Sequence, residues 1–474
     1  MIRHPVGEAK VVSNPVVDRS RALRASALLA LGLGVMIVVG LLLLGQQSRS
    51  PLLVAGLLIS TGICGLLINR DWMANVCLFA CSVTVTIYVV EACAEAVSLL
   101  AGDKERRLRS EYSAAHDTSF DSRSQLEFLQ AMRARGHDLY PAFPRGLLLQ
   151  RDGERPTRAA LIGADGNALV PLGSISNVET VRGNETGQFL VYVSDERGFH
   201  NPRGIWPLRS LQVAAIGDSF VFGESVPSGS NMVASIRSYL PRTLNLGDGG
   251  NGPLSELGTI LEYLPERQPQ LVLWFYTEEN DLPEDLEREK RSPVMMDYLQ
   301  DPPKIQNLET RQAEVDAKLR VYFEQLFRSP PSTDRFGHFL NLSELSAIFL
   351  RLWSSPPEDF DLFKRVLEAA KRAVSPWHGR LVFVYVPVRA TLMPGIAGSS
   401  VVARSAEHHK RILQICSDLS IPVIDLHERF AADASHLTDY FYPYEGHLTP
   451  SGYQRAGNVV IEELRAKALI PTTE

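Results

Sequence analysis

Apolar residues fall into two regimes along this chain of 474 residues. Up to about residue 90 they form long stretches free of charged residues, from Ala25 to Gly45, from Leu52 to Ile68 and from Ala74 to Val90. A helix needs about 20 apolar residues to cross a bilayer; the first run meets that length and the other two lie near its lower limit. Three transmembrane helices are therefore expected. The first run is too long for the core of a secretory signal and lacks a small-residue cleavage site. Glu91 and Glu95, on one helix face after the third run, are expected to mark the headgroup boundary.

Beyond about residue 200 the apolar runs shorten to the length of buried strands. They recur near 211–216, 243–246, 270–276, 380–386 and 421–425, and helical patterns lie near 230–240, 253–264, 357–374, 402–418 and 450–467. Strands alternating with helices predict an α/β fold, a three-layer α/β/α sandwich with a parallel, flavodoxin-like sheet. Between the two regimes, residues 101 to about 135 read as a charged stalk. From Phe143 to Val193, short apolar runs such as Gly146-Leu147-Leu148-Leu149 and Phe189-Leu190-Val191-Tyr192-Val193 alternate with turn dipeptides, which predicts a small β-rich segment packed on the sheet. The expected organisation is a membrane region over 1–100, a stalk and β-rich preface over 101–200, and a catalytic domain over 201–474. That domain carries a largely helical insertion over 284–352, broken at Pro302-Pro303 and Pro330-Pro331.

Composition narrows the function. A formal charge of −6 without a clustered basic face gives no footprint for nucleic acid. Four of the five cysteines, Cys64, Cys77, Cys81 and Cys93, lie in the apolar N-terminal segments, and no disulfide framework or zinc pattern follows from them. No cofactor is implied. Glu278, Glu279 and Asp281 are oxygen ligands confined to one loop, and they read as a solvated rim or as support for the loop rather than a metal site. His408-His409 reads as surface.

Candidate chemistry lies in four blocks. Val213-Ala214-Ala215-Ile216 stops at Gly217-Asp218-Ser219, which places Ser219 at the carboxyl edge of a buried strand, where open α/β sheets carry their chemistry. Leu244-Asn245-Leu246-Gly247-Asp248-Gly249-Gly250-Asn251-Gly252 can turn backbone amides toward an oxyanion. The strand Leu271–Tyr276 leads to Asn280, whose amide can donate to the same oxyanion. Glu445-Gly446-His447-Leu448-Thr449-Pro450 supplies an imidazole that can serve Ser219 as general base.

These blocks in this order resemble the SGNH (GDSL-type) hydrolases over residues 185 to 465. Ser194-Asp195-Glu196-Arg197-Gly198-Phe199 and Phe222-Gly223-Glu224-Ser225-Val226 add to the likeness. Ile175-Ser176-Asn177-Val178 and Asn184-Glu185-Thr186-Gly187 are similar to membrane-associated members linked to bacterial exopolysaccharide. The resemblance implies Ser219 as nucleophile, His447 as base, and an oxyanion hole from the amides of Ser219 and Gly250 with the Asn280 side chain. The family's Asp three residues before the His is here Tyr444. Glu445 is then the nearest candidate to orient the imidazole, Asp439 a more distant one, and a Ser–His dyad the third possibility.

The implied function is a membrane-anchored serine esterase or O-acyltransferase acting on ester groups of an extracytoplasmic carbohydrate, with polysaccharide-synthesis proteins as possible partners. A lipase or phospholipase, or a degenerate fold serving as an assembly subunit, are the alternatives. Three spans from an inside N-terminus, with Arg3, Lys10, Arg19, Arg21, Arg24 and Arg70 on the cytoplasmic side, place the catalytic domain across the inner membrane in the periplasm.

Overall fold

The computed structural model describes residues 15–43, 49–68, 70–116, 118–142, 161–208, 210–278, 280–328, 339–353, 358–393, 399–444 and 446–471. The run Gly146–Leu149 lies outside them. The chain forms two compact units, residues 1–104 with 332–355, and residues 105–331 with 356–474.

The first unit is built on α1 (Pro15–Leu43), α2 (Arg49–Ile68) and the N-terminal part of α3 (Asp71–Ala115). All three are long and apolar enough to cross a membrane. Small side chains allow the helices to approach: Ala27, Ala30, Ala55, Cys77 and Ala80 are buried among Ile37, Leu41 and Leu58. A Cβ on Gly62 would come within 2.8 Å of the Ala27 carbonyl oxygen, so the α1–α2 contact depends on backbone meeting backbone. Outward-facing leucines and valines such as Leu42, Leu53, Leu57 and Val85 remain exposed, as expected of helices solvated by lipid rather than water. Residues 339–353 also belong to this unit, although in sequence they lie inside the insertion between the sheet strands.

The second unit carries two sheets. A small one orders β1 (Leu139–Pro141), β2 (Glu179–Val181) and β3 (Val191–Val193), with β2 and β3 antiparallel. The other has five strands, β4 (Val213–Ile216), β5 (Thr243–Asn245), β6 (Leu271–Thr277), β7 (Arg380–Val386) and β8 (Val423–Asp425). They lie in the order β5-β4-β6-β7-β8, and every neighbouring pair is parallel. The α/β expectation holds, and the strands fall within two residues of the apolar runs that announced them.

Alternation along β6 shows how the layers form. Val272, Trp274 and Tyr276 join one core with Leu254, Leu257 and Ile260 of the helix Pro253–Tyr263 and with Phe363, Val366 and Leu367 of the helix Phe360–Val374. Leu271, Leu273 and Phe275 join the other, with Met232, Val233 and Ile236 of the helix Met232–Tyr239 and with Tyr453, Val459 and Val460 of the helix Pro450–Ala466. Both faces are covered, as a parallel sheet requires. Tyr140, Leu172, Ile175 and Phe199 from the preface lie in the first of these cores, so the small sheet shares the hydrophobic interior of the large one.

Candidate active site

β4 precedes β5 and β6 in the chain but lies between them in the sheet, so the winding reverses there and opens a crevice at the carboxyl ends of the strands. Three blocks converge on it. After β4 the chain turns through Gly217 and Asp218 into the single helical turn Ser219–Phe222. The Asp218 carboxylate accepts the Phe220 amide at 2.9 Å and caps the turn, which presents Ser219 at the crevice. After β5, the Leu246 amide donates to Ala215 O at 2.8 Å and the Asp248 amide to Gly217 O at 3.2 Å, so the glycine loop stays paired beside the serine turn. After β6 comes Asn280.

The fourth block folds as a closed loop ahead of the helix Pro450–Ala466. Phe441 and Leu448 form an antiparallel bridge, and the Thr449 hydroxyl caps the helix through the Gly452 amide. This loop aims His447 at the serine, with Nε2 of the imidazole 2.9 Å from Ser219 Oγ. Nδ1 lies 2.9 Å from Glu185 Oε2. With Nδ1–H donated to the carboxylate, Nε2 is free to accept the serine hydroxyl proton. The same Glu185 oxygen accepts the Ser225 hydroxyl.

The carboxylate at Nδ1 is that of Glu185, which was not among the expected acids. Glu445 lies outside the described residues. Asp439 is exposed and its carboxylate faces His436 at 3.5 Å. Glu185 comes instead from the loop between β2 and β3, which is closed by the Gly187 amide on Asn184 O at 2.8 Å and the Leu190 amide on Gly183 O at 3.2 Å. The segment Asn184–Gly187 was legible as a likeness to membrane-associated hydrolases, but nothing in its local pattern pointed to an imidazole 262 residues later.

Electrostatics couple the pair. Burial works to lower the His447 pKa, but the charges of Glu185, Glu224 and Asp218 and the Glu185 hydrogen bond outweigh it and hold it at about 9. Burial alone would raise the Glu185 carboxyl; the His447 charge and the hydrogen bonds from His447 and Ser225 bring it below its usual range instead.

Of the expected oxyanion donors, the Ser219 and Gly250 amides make no hydrogen bond among the described residues. Gly250 has φ +75°, a conformation natural to glycine. Asn280 stands where it was expected, but its Nδ2 donates to Asp218 Oδ2 at 3.1 Å and Asp285 Oδ2 at 2.8 Å. Both amide protons are engaged, so an oxyanion would have to replace the longer bond to Asp218.

One cation braces these blocks. Arg182, at the end of β2, donates through Nε to Glu224 and through Nη1 to Asp248 Oδ1 at 2.8 Å. Its guanidinium lies 4.6 Å from the Phe222 ring centroid. A Cβ at residue 249 would fall 1.3 Å from Arg182 Nη2, so the arginine lies across the glycine loop only because that position has no side chain. The acid-bearing hairpin, the segment after the serine and the glycine loop are thereby tied to a single side chain.

Of the two readings of the acidic loop, the structure fits support for the loop and not a solvated rim, and the surface reading of His408 is corrected. Glu278 and Asp281 are buried. Asp281 accepts the Thr277 amide at 2.7 Å, and Glu278 accepts hydroxyls from Thr391 and Ser405. His408 is buried, with Nε2 2.6 Å from the Tyr276 hydroxyl and Nδ1 2.8 Å from Glu358, while His409 Nε2 lies 2.8 Å from Asp425 Oδ2. The helix Ser399–Asp418 packs on the sheet through this face, which charge density alone disguised. Among the described residues no group of His, Cys, Asp and Glu is arranged to hold a metal ion.

No protein-family model matches the chain, and no curated protein does. Solved structures do. A lipase/acylhydrolase from Enterococcus faecalis is 13% identical, with 54% of this chain and 96% of that one covered and a TM-score of 0.31. An acetyl xylan esterase is 10% identical, with 54% and 100% covered and a TM-score of 0.32. A member of the lipolytic G-D-S-L family from Veillonella parvula is 14% identical, with 53% and 97% covered and a TM-score of 0.29. The chemistry of Ser219, His447 and Glu185 therefore stands on this chain's own geometry.

Proposed function

We propose that the chain is an SGNH-type serine esterase or O-acyltransferase, anchored in the bacterial inner membrane by α1–α3 and acting on ester groups of an extracytoplasmic carbohydrate. The observation that carries the proposal is the continuous relay from Ser219 Oγ through both nitrogens of His447 to Glu185, with 2.9 Å at each contact. Ser219 Oγ attacks the ester carbonyl while its proton passes to His447 Nε2. The amides of Ser219 and Gly250 receive the oxyanion, and Asn280 joins them by exchanging its bond to Asp218. Collapse expels the alcohol, which takes the proton from His447, and leaves an acyl-serine. Water or a sugar hydroxyl, deprotonated by the same imidazole, then releases the acyl group.

Polar lining favours a carbohydrate over a lipid. Around the serine stand Asp218, Asn280, Glu185 and Arg182, side chains suited to hydrogen-bonding sugar hydroxyls. Three helices fit for spanning carry the chain from an inside N-terminus to the outside. A fluorophosphonate probe tests the nucleophile: the wild type should be labelled and Ser219→Ala should not. Labelling that survives Ser219→Ala overturns the assignment. Released acetate from acetylated oligosaccharides, measured beside long-chain ester hydrolysis, tests the substrate class.

A further inference from the structure

Glu91 is an acid near the end of an apolar stretch, yet only 1% exposed. Its Oε1 accepts the Glu344 amide at 2.9 Å and its Oε2 the Leu345 amide at 2.8 Å. These are first-turn amides of the helix Ser343–Trp353, which have no partner within that helix, and a carboxylate also suits the positive end of its dipole. Just upstream, the Tyr88 hydroxyl donates to Leu340 O at 3.2 Å, and the Tyr88 and Phe339 rings lie 5.2 Å apart. Thus α3 grips the start of residues 339–353 through two side chains one turn apart.

The position of that grip along α3 carries the inference. From Trp72, where the third apolar span begins, to Glu91 is 19 residues. At 1.5 Å per residue this is about 28 Å, close to the thickness of the hydrocarbon core. Glu91 thus stands at the boundary opposite Trp72. The helix it caps opens with Ser343-Glu344-Leu345-Ser346, and from Ala347 to Trp353 reads Ala-Ile-Phe-Leu-Arg-Leu-Trp, six apolar residues of seven. Ala347 and Ile348 are exposed, the latter by 42%, so these two apolar side chains are not spent on packing within the protein. Phe339 and Leu340 wall a groove of about 460 Å³ with Leu33, Ile37, Val85 and Val89, all apolar.

We propose that the helix Ser343–Trp353 is a membrane-surface element that lies in the headgroup–acyl boundary of the leaflet at Glu91, with lipid as the partner of its apolar residues and Glu91 as its anchor. The proposal rests on reading α1–α3 as spans. A loop inserted between strands of the hydrolase would then be fastened to the bilayer a second time, independently of the N-terminal helices.

The test uses the full chain in phosphatidylcholine–phosphatidylglycerol vesicles, with the five cysteines replaced and a nitroxide at Ile348→Cys or, as control, at Phe79→Cys on the exposed face of α3. At Ile348 the label should collide more with oxygen than with a water-soluble nickel complex, at a depth of roughly 5–10 Å. Aqueous behaviour at Ile348 with lipid behaviour at Phe79 overturns this inference alone, and aqueous behaviour at both overturns the membrane reading beneath it. Adding Glu91→Ala should raise nickel accessibility at Ile348 several-fold; an unchanged value removes Glu91 as the anchor. If the cysteine-free chain fails to fold, the native-cysteine chain serves. There Trp353→Phe should remove part of the quenching by brominated phospholipid, and undiminished quenching overturns the proposal.

Discussion

Glu185 Oε2 lies 2.9 Å from Nδ1 of His447, although 262 residues separate the two along the chain. The imidazole is therefore oriented by a hairpin from the small sheet. This makes the preface a working part of the site. If Glu185 fixes the tautomer and supports the imidazolium, Glu185→Gln should keep the fold and lower kcat by roughly 10²–10⁴ with little change in KM. Asp439→Asn should stay within about twofold of wild type, as its carboxylate faces His436. Kinetics on a short-chain aryl ester separate the cases. A Glu185→Gln enzyme of full activity would end the relay as described.

The same pair sets a pH dependence. His447 must be neutral to accept the Ser219 proton, and its folded pKa is held at about 9. The kcat/KM profile should accordingly climb through neutral pH and level off only above about 9. Glu185→Gln should bring the midpoint down toward the ordinary imidazole value of about 6.5 while the plateau falls. Stability follows the opposite course. The raised His447 contributes fully below its unfolded pKa, and that contribution is lost as pH rises through about 9. The lowered Glu185 contributes above its unfolded pKa and loses its share as pH falls through its folded value. The Tm gap between wild type and Glu185→Gln should therefore narrow as the buffer moves from pH 7 to pH 10.

Arg182 should prove expensive to remove. Its partners Glu224 and Asp248 have side chains only 5% exposed, and without the guanidinium both carboxylates lose their cation. Breaking a buried ion pair from one side costs about 3–5 kcal/mol. Arg182→Met should lower the Tm markedly in detergent-solubilised protein. Arg182→Lys is the sharper variant, because an ammonium cannot reproduce the fork that reaches both carboxylates. It should retain the fold and lose kcat, since the Glu185 hairpin and the glycine loop are no longer held by one group. Unchanged kcat and Tm in Arg182→Lys would reduce the arginine to a bystander.

Legibility in the sequence followed the range of the interactions. β4, β6 and β7 were readable because a buried parallel strand is apolar on both faces, so the run itself is the signal. Ser219 and His447 were readable because each stands at a fixed offset from an element that ends in a turn or begins with a cap. Glu185 was not, because the partner of a charged residue in a hairpin loop is decided by tertiary packing of the small sheet. His408 was misread as surface, and the role of Glu278 was left between rim and support, for a related reason: both are buried polar groups satisfied by distant partners, Tyr276 and Glu358 for the one, Thr391 and Ser405 for the other. Local sequence cannot distinguish such groups from solvated ones. Residues 339–353 belong to the first unit through two α3 side chains about 250 positions away, a contact equally invisible along the chain.

Asn280 poses the last question, because its amide is already engaged. Nδ2 serves Asp218 at 3.1 Å and Asp285 at 2.8 Å, and burial pushes the Asp285 carboxyl up to about 8 despite Arg288 beside it. Replacing the longer bond with a developing oxyanion costs little in the ground state and gains a charge-assisted bond in the transition state. Asn280→Ala should then lower kcat by roughly 10²–10³ with KM nearly unchanged, the signature of a donor used only during reaction. Asp285→Asn supplies the control, since it leaves Asn280 in place and alters only the bond that orients it. Its effect on kcat should be smaller. If Asn280→Ala stays within about threefold of wild type, the amide serves its two carboxylates alone, and the oxyanion rests on the backbone amides of Ser219 and Gly250.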